Sequence, residues 1–203
     1  MNVEKVFERN VPGLREILVK KTVAIAGCGG LGSNAAVALT RAGIGKLIIA
    51  DFDKVELSNL NRQYYFLGDI GKYKTDAITA HLRAINPEIR LETHCLQLTP
   101  ENVPELFKDA DVLIEAFDRA ESKVWLIETW CTHFPAKPII CGSGLSGVGA
   151  TSSLKVHRAG SIVVCGDEQT DMSIGLVSSR VAIAANMEVN EAIEILVGKK
   201  KDE

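Results

Sequence analysis

Three glycines spaced as Gly27-x-Gly29-x-x-Gly32, directly after the apolar run Thr22-Val23-Ala24-Ile25-Ala26, constrain this chain more than any other feature. A short run rich in β-branched residues and stopped by a glycine turn reads as a buried parallel strand. The helix after it keeps Leu31, Ala35, Ala38, Leu39 and Ala42 on one stripe and ends near Gly43 and Gly45. Glycines 27, 29 and 32, with Gly30 beside them, let the backbone turn tightly, approach a phosphate without an intervening side chain, and pack the helix on the strand. The helix N-terminus then offers free N–H groups and the positive end of its dipole to an anion. Several nucleotide cofactors use such a turn, so the glycines alone do not name the ligand.

Alternation continues downstream. Lys46 to Asp51 forms a second strand whose acidic end falls 19 residues after Gly32. A helix from about Lys72 to Ile85 is stopped by Asn86-Pro87, and Arg90 to Gln97 forms a third strand. A short helix near Glu101 to Lys108, the strand Val112 to Phe117, a helix through Trp125 and Trp130, and the strand Pro138 to Cys141 follow. The pattern predicts an α/β, Rossmann-like, mostly parallel sheet with helices on both faces. After Gly142 it changes: Ser152 to His157 and Ser161 to Cys165 read as an antiparallel C-terminal hairpin extension around Ala159-Gly160. Gly166 to Ser173 reads as a polar, mobile loop, and Val181, Ala185, Val189, Ala192 and Leu196 mark a final amphipathic helix. At 203 residues a single domain is expected, with an N-terminal segment 1–20, a nucleotide-binding core 21–145, and a hairpin, crossover loop and final helix over 146–203.

Composition excludes several classes. A net charge of −3 argues against a general nucleic-acid binder, and the basic run Lys199 to Lys201, followed by Asp202 and Glu203, reads as a solvated tail. No apolar stretch approaches the roughly 20 residues needed to cross a bilayer. The segment Met1 to Lys5 lacks the basic and apolar regions of a signal peptide, so a cytoplasmic protein without membrane or nucleic-acid partners is expected. Cysteines 28, 95, 131, 141 and 165 are odd in number and form no Cys-x-x-Cys pair, which argues against a disulfide framework and against a structural zinc.

Asp51 to Gln63 carries the chemistry. Asp51, at a strand end, suits a ribose of NAD or ATP alike, and Asp53 reads equally as a metal ligand or a loop cap. Asn59, Arg62, Gln63 and Lys74 discriminate. Several polar or cationic groups this close to the ribose carboxylate counter a triphosphate well, and exceed what a dinucleotide's two phosphates require. Asp118, after the strand Val112 to Phe117, reads also as an N-cap for the helix starting near Arg119 to Glu121.

These residues carry a family resemblance. Gly27 to Gly32, Asp51 to Gln63, Gly71-x-x-Lys74 and Ile85-Asn86-Pro87 resemble the adenylation domain of the ThiF, MoeB and ubiquitin-activating enzyme superfamily. From about Val23 to Val197 the chain is similar to the compact ThiF proteins of bacterial thiamine synthesis. The resemblance implies ATP-dependent adenylation of the C-terminal glycine carboxylate of a ubiquitin-like, ThiS-like sulfur carrier by a homodimer. It implies that Asp51 binds the ribose, Arg62 and Lys74 the phosphates, Asn59 a phosphate or its surroundings, and Asp118 a Mg²⁺ ion. Arg9, or in second place Arg15, would be the arginine that completes the partner subunit's ATP site.

Departures from that pattern are specific. Arg119 stands where the family has asparagine, and Cys165 lacks the partners of a zinc pair. The loop Gly166 to Ser173 has no cysteine for a covalent carrier link, and Cys165 reads as a strand-end structural thiol. The alternatives are an NAD-linked oxidoreductase, a relative that adenylates another carboxylate or a modified tRNA base, and a non-catalytic binding module. The first lacks an evident catalytic pair, since His81, His94, His133 and His157 are scattered.

Overall fold

The computed structural model describes residues 3–198; the basic tail at 199–201 lies outside them. Seven strands form one sheet: β1 (Thr22–Ala26), β2 (Lys46–Ala50), β3 (Arg90–His94), β4 (Val112–Glu115), β5 (Ile139–Ser143), β6 (Lys155–Ala159) and β7 (Ile162–Gly166). Their order is β3-β2-β1-β4-β5-β7-β6. All neighbours are parallel except the hairpin β6–β7, so the antiparallel strand sits at one edge. The helices are α1 (Leu14–Leu18), α2 (Gly30–Ala42), α3 (Lys74–Ile85), α4 (Val103–Leu106), α5 (Ala120–His133) and α6 (Ser178–Val197).

Strand alternation divides the core into two layers. Val23, Ile25, Leu47, Ile49, Val112, Ile114 and Val163 point to the face covered by α1, α2, α3 and α6. Ala24, Ala26, Ile48, Leu113 and Ile139 point to the other face, against Val103 and Phe107 around α4 and Leu126 and Trp130 of α5. Strands buried on both faces must be apolar throughout, which is why the inner strands read as continuous runs. In α6, Val181, Ala185, Val189, Ala192 and Leu196 are all buried, as the periodicity predicts.

Three local expectations are corrected. The third strand stops at His94, the residue paired with Ala50 at the end of β2, and does not reach Gln97. Residues 151–153 form a 3₁₀ turn, so the hairpin strand starts at Lys155. Asp118 does not cap α5: Arg119 occupies the cap position, and no side chain accepts a capping hydrogen bond there.

Candidate nucleotide site

From β1 the chain proceeds to β2 and β3 on one side, and from β4 to β5 and β7 on the other. The connections part at the carboxyl ends of β1 and β4, the crevice where open α/β sheets bind ligands. The glycine turn leaves β1 there and starts α2. A Cβ on Gly32 would lie 2.0 Å from the Gly27 carbonyl oxygen, so this close approach of helix to strand requires glycine. Ser33 and Asn34 fix the turn further: the Ser33 hydroxyl donates to the Gly29 carbonyl and accepts from the Tyr64 N–H, and the Asn34 amide donates to the carbonyls of Gly30 and Arg62.

Asp51 follows β2 and is buried. Its Oδ2 accepts from the Cys28 N–H at 2.6 Å and its Oδ1 from the Asp53 N–H at 2.7 Å, so one carboxylate joins the glycine turn to the next segment. Burial pushes this carboxyl above its ordinary value, while Lys74 and the two N–H donors pull it back. Each Asp51 oxygen has a second lone pair for a ligand hydroxyl.

Residues 54–73 make an excursion that closes on itself. Lys54 bridges Tyr73, and the Val55 N–H bonds to the Lys72 carbonyl, the Gly71 N–H to the Val55 carbonyl and the Lys74 N–H to the Asp53 carbonyl, each at 2.9 Å. Lys74 therefore returns beside Asp53, and its Nζ lies 2.7 Å from Asp53 Oδ2 while the Lys74 side chain is only 7% exposed. Tyr65, which the sequence reading passed over, braces the return: its hydroxyl donates to the Cys28 carbonyl at 2.8 Å and lies 3.5 Å from that of Lys74. A buried tyrosine needs a hydrogen-bond partner. A Tyr pair inside a polar motif was the signal available.

Arg62 and Gln63 lie against the glycines. The Arg62 stem approaches within 3.7 Å of a Cβ built on Gly30, and its guanidinium reaches the Asn61 Oδ1 at 2.8 Å and the Ser58 carbonyl at 3.3 Å. Gln63 is buried with its Nε2 3.7 Å from a Cβ on Gly29, and its Oε1 has no hydrogen-bond partner among the described residues. The amide nitrogen, which is the donor a phosphate could use, is thus the end that lies against the glycine turn. Asn59 has a local role, its Oδ1 accepting from the Glu56 N–H at 3.1 Å in a reciprocal cap of the turn Leu57–Asn59.

Asp118 is exposed, without a hydrogen-bond or ion-pair partner among the described residues. The turn that presents it is held from below. Buried Glu115 accepts from the Phe117 N–H at 2.7 Å and pairs with Lys123 at 2.8 Å, and burial raises its carboxyl while Lys123 opposes the shift. No group of three His, Cys, Asp or Glu side chains among the described residues is arranged to hold a metal. One free carboxylate beside a phosphate turn nonetheless fits Mg²⁺, which is held by one or two carboxylates together with substrate phosphates.

Arg9 is not brought to this crevice within its own chain. The N-terminal segment packs through Phe7 and Asn10 on the far end of α2, where the Asn10 amide donates to the Ala42 carbonyl. The 13 residues of α2 put about 20 Å between that contact and the glycine turn. Arg15 is engaged at the same far end, donating to the Gly43 carbonyl at 2.9 Å and stacking on Phe7. Of the cysteines, Cys165 is fully buried and its thiol is pushed up to about 12 by burial, so it is a packed side chain and not a nucleophile.

A doubly wound sheet with a glycine turn at its switch point, a buried acid directly after β2 and a buried lysine returned to Asp53, two residues on, defines a nucleotide-binding α/β domain. The chain belongs to the ThiF family, whose pattern matches residues 5–203. It is 38% identical over 129 residues to adenylyltransferase and sulfurtransferase MOCS3 of Anopheles gambiae, covering 63% of this chain and 29% of that protein. It is 48% identical over 99 residues to ubiquitin-like modifier-activating enzyme 5 of Drosophila persimilis, covering 49% of this chain and 24% of that protein. The chain thus spans less than a third of either relative. In fold it is similar to E. coli tRNA N6-threonylcarbamoyladenosine dehydratase, TcdA, with a TM-score of 0.86 over 96% of this chain and 93% of that one at 21% identity. TcdA has been solved in complex with AMP and with ATP.

Proposed function

We propose that the protein is an ATP-dependent adenylyltransferase that activates the C-terminal glycine carboxylate of a ubiquitin-like sulfur carrier, ThiS-like and in thiamine biosynthesis, and that it acts as a cytoplasmic homodimer. The observation that carries this reading is the buried Lys74 amine beside Asp53 at the mouth of the glycine turn, one residue span from the Asp51 carboxylate. A redox dinucleotide has no need of a desolvated cation there; a triphosphate does. The names of the relatives, an adenylyltransferase and a ubiquitin-like modifier-activating enzyme, support the same reading.

In the reaction, a carrier carboxylate oxygen attacks the α-phosphorus of ATP, the bond to the β-phosphate oxygen breaks, and pyrophosphate leaves with the electron pair. No protein nucleophile is needed. Asp51 accepts hydrogen bonds from the ribose hydroxyls and so sets the distance of the α-phosphate from the glycine turn. The N–H groups at the start of α2 face the phosphates. Lys74 exchanges Asp53 for the departing phosphates, a compact cation that can follow them, and Arg62 offers a planar fork. Gln63 donates through its Nε2, the end near Gly29, to the same phosphates, and Asn59 keeps the loop carrying Arg62 in register. Positioning and charge neutralisation of this kind account for most of the catalysis expected of such a site. A Mg²⁺ bound with the nucleotide would be held by Asp118 and would neutralise the phosphates. Arg9 would reach the site from the second subunit.

The test is to incubate the protein with MgATP and ThiS-like carriers and to look by intact mass for a carrier that gains AMP, alongside carrier-dependent exchange of labelled pyrophosphate into ATP. Binding of NADH without binding of MgATP would overturn the proposal.

A further inference from the structure

Along the carboxyl edge of the sheet, the exits of β5 and β7 lie beside that of β4. Both exits are tied to the first turn of α6 by one buried pair. Arg180 and Asp167 have side chains only 4% and 6% exposed and meet at 2.5 Å. The other arm of the Arg180 guanidinium donates to the carbonyls of Gly149 at 2.7 Å and Ala150 at 3.3 Å, and Nη2 also reaches the Ser153 hydroxyl. Asp167 Oδ1 accepts from the N–H groups of Gln169 and Thr170 and from the Thr170 hydroxyl, and the Thr170 hydroxyl accepts from the Ser146 N–H. One guanidinium therefore holds the loop after β5 and the loop after β7 together.

The backbone so held is strained. Ala150 and Glu168 are the only described non-glycine residues with positive φ, at 46° and 57°, and both flank the pair. Strain of this sort persists only where the surroundings over-determine it. Gly144 has φ of 72°, and a Cβ there would lie 2.0 Å from Asp167 Oδ1, so the two exits are in contact. A buried ion pair adds little net stability over an apolar substitute, and its better-attested use is to select one conformation. The selected conformation abuts the nucleotide crevice: Val181, next to Arg180, comes within 3.0 Å of a Cβ on Gly30, and the Asn61 amide donates to the Leu176 carbonyl. Asn61 belongs to the excursion 54–73 that carries Arg62, so the loops held by Arg180 and the phosphate-side excursion share a border at Leu176.

We infer that Arg180 is a positioning residue for the acyl substrate: its pairing with Asp167 fixes the wall along which an extended peptide tail ending in a free carboxylate reaches the nucleotide. This rests on the adenylation reading above. Arg180 touches neither ATP nor the reacting carboxylate; it acts through the two loops.

The experiment measures AMP transfer to a purified ThiS-type carrier by the full chain and by Arg180→Gln, Arg180→Lys and Asp167→Asn. Arg180→Gln is expected to raise KM for the carrier at least about tenfold while kcat at saturating carrier and KM for ATP stay within about twofold, the pattern of lost uniform binding. Arg180→Lys keeps the charge but not the fork and falls between. Hydrogen exchange over residues 144–153 and 166–177 should quicken in both. Should Arg180→Gln fail to fold, the nearly isosteric Asp167→Asn is read in the same way. An unchanged carrier KM, or carrier and ATP KM values that rise together, overturns the inference and leaves the pair a purely structural one. If the unaltered protein transfers no AMP, the adenylation reading falls and takes the inference with it; activity in the unaltered protein with indifferent variants sinks the inference alone.

Discussion

Lys74 and Asp53 meet at 2.7 Å across the mouth of the glycine turn, so the cation that a triphosphate would use is already occupied by a carboxylate of its own chain. Asp53 is half-exposed while Lys74 is buried, which makes the acid the partner that can yield to solvent. Lys74→Met is expected to weaken ATP binding by about ten- to a hundredfold, the loss of one or two charge-assisted hydrogen bonds. Asp53→Asn should do the reverse and tighten ATP about fivefold, because it removes roughly 1 kcal/mol of repulsion at solvent-like screening. Calorimetric titration with MgATP reads both; weaker binding in Asp53→Asn would make Asp53 a metal ligand instead.

Asp51 bonds the N–H groups of Cys28 and Asp53 through both oxygens. An amide in its place must turn an NH₂ toward one of these donors. Asp51→Asn should therefore destabilise the fold by about 1–3 kcal/mol through an unsatisfied buried donor, and lower ATP affinity as well. Urea unfolding gives the first quantity. Deoxygenated ribose analogues give the second, and a variant that still distinguishes them from ATP would exclude Asp51 from the ribose.

Asp118 stands alone and exposed, so its removal should leave stability within about 0.5 kcal/mol. Asp118→Ala is nonetheless expected to shift the Mg²⁺ dependence of AMP transfer to higher concentration. A metal titration curve superimposable on that of the parent protein would remove the metal role from this residue.

Arg9 lies on the segment packed at the end of α2 away from the glycine turn, so a role in a nucleotide site would require that site to belong to another subunit. Arg9→Ala should lose adenylation while ATP binding persists. Mixed with Lys74→Met and allowed to exchange subunits, it should recover roughly a quarter of the parent activity, since half of the dimers then hold one intact site. No recovery on mixing would place the missing arginine elsewhere.

Glu188 of α6 is fully buried, and neither carboxyl oxygen has a hydrogen-bond partner among the described residues. Burial raises it well above its ordinary value of 4.5, Glu115 adds to the shift and Lys123 opposes it, and the thiols of Cys141 and Cys165 feel its field. Below pH 4.5 the carboxyl is protonated folded and unfolded alike and has no pH-linked effect. Above it the unfolded chain ionises and the folded chain does not, so stability falls with rising pH by up to about 1.4 kcal/mol per unit until the folded group titrates. Glu188→Gln should remove that slope, leaving the variant more stable than the parent at pH 7 but not at pH 4.5. Urea unfolding at the two values checks the sign.

Much of this was legible in the sequence, for physical reasons that differ by residue. The inner strands are buried on both faces and so read as apolar runs, and the spacing Gly27, Gly29, Gly32 carries its own steric demand. The acid at Asp51 is fixed by the end of a strand. What escaped depends on distant partners. The 3₁₀ turn at 151–153 follows a strained Ala150 whose carbonyl is held by Arg180, 30 residues on. Arg9 is close to Gly27 in number and far from it in space, because the N-terminal segment packs on the opposite end of α2. The helix cap that Asp118 offered as an alternative to its metal role is not made, because the helix begins one residue later and leaves the carboxylate outward. The polar segment 166–173 looked loose, and it is knotted by Asp167 instead.

The bridge between Lys54 and Tyr73 gives the detour between them the character of a closed side loop on a railway line. Whatever happens at its outer bend, near exposed Leu67 and Gly68, the junction keeps the same two tracks side by side. Lineages or engineers could lengthen that bend, or graft a recognition peptide into it, and the Lys74 amine would stay beside Asp53.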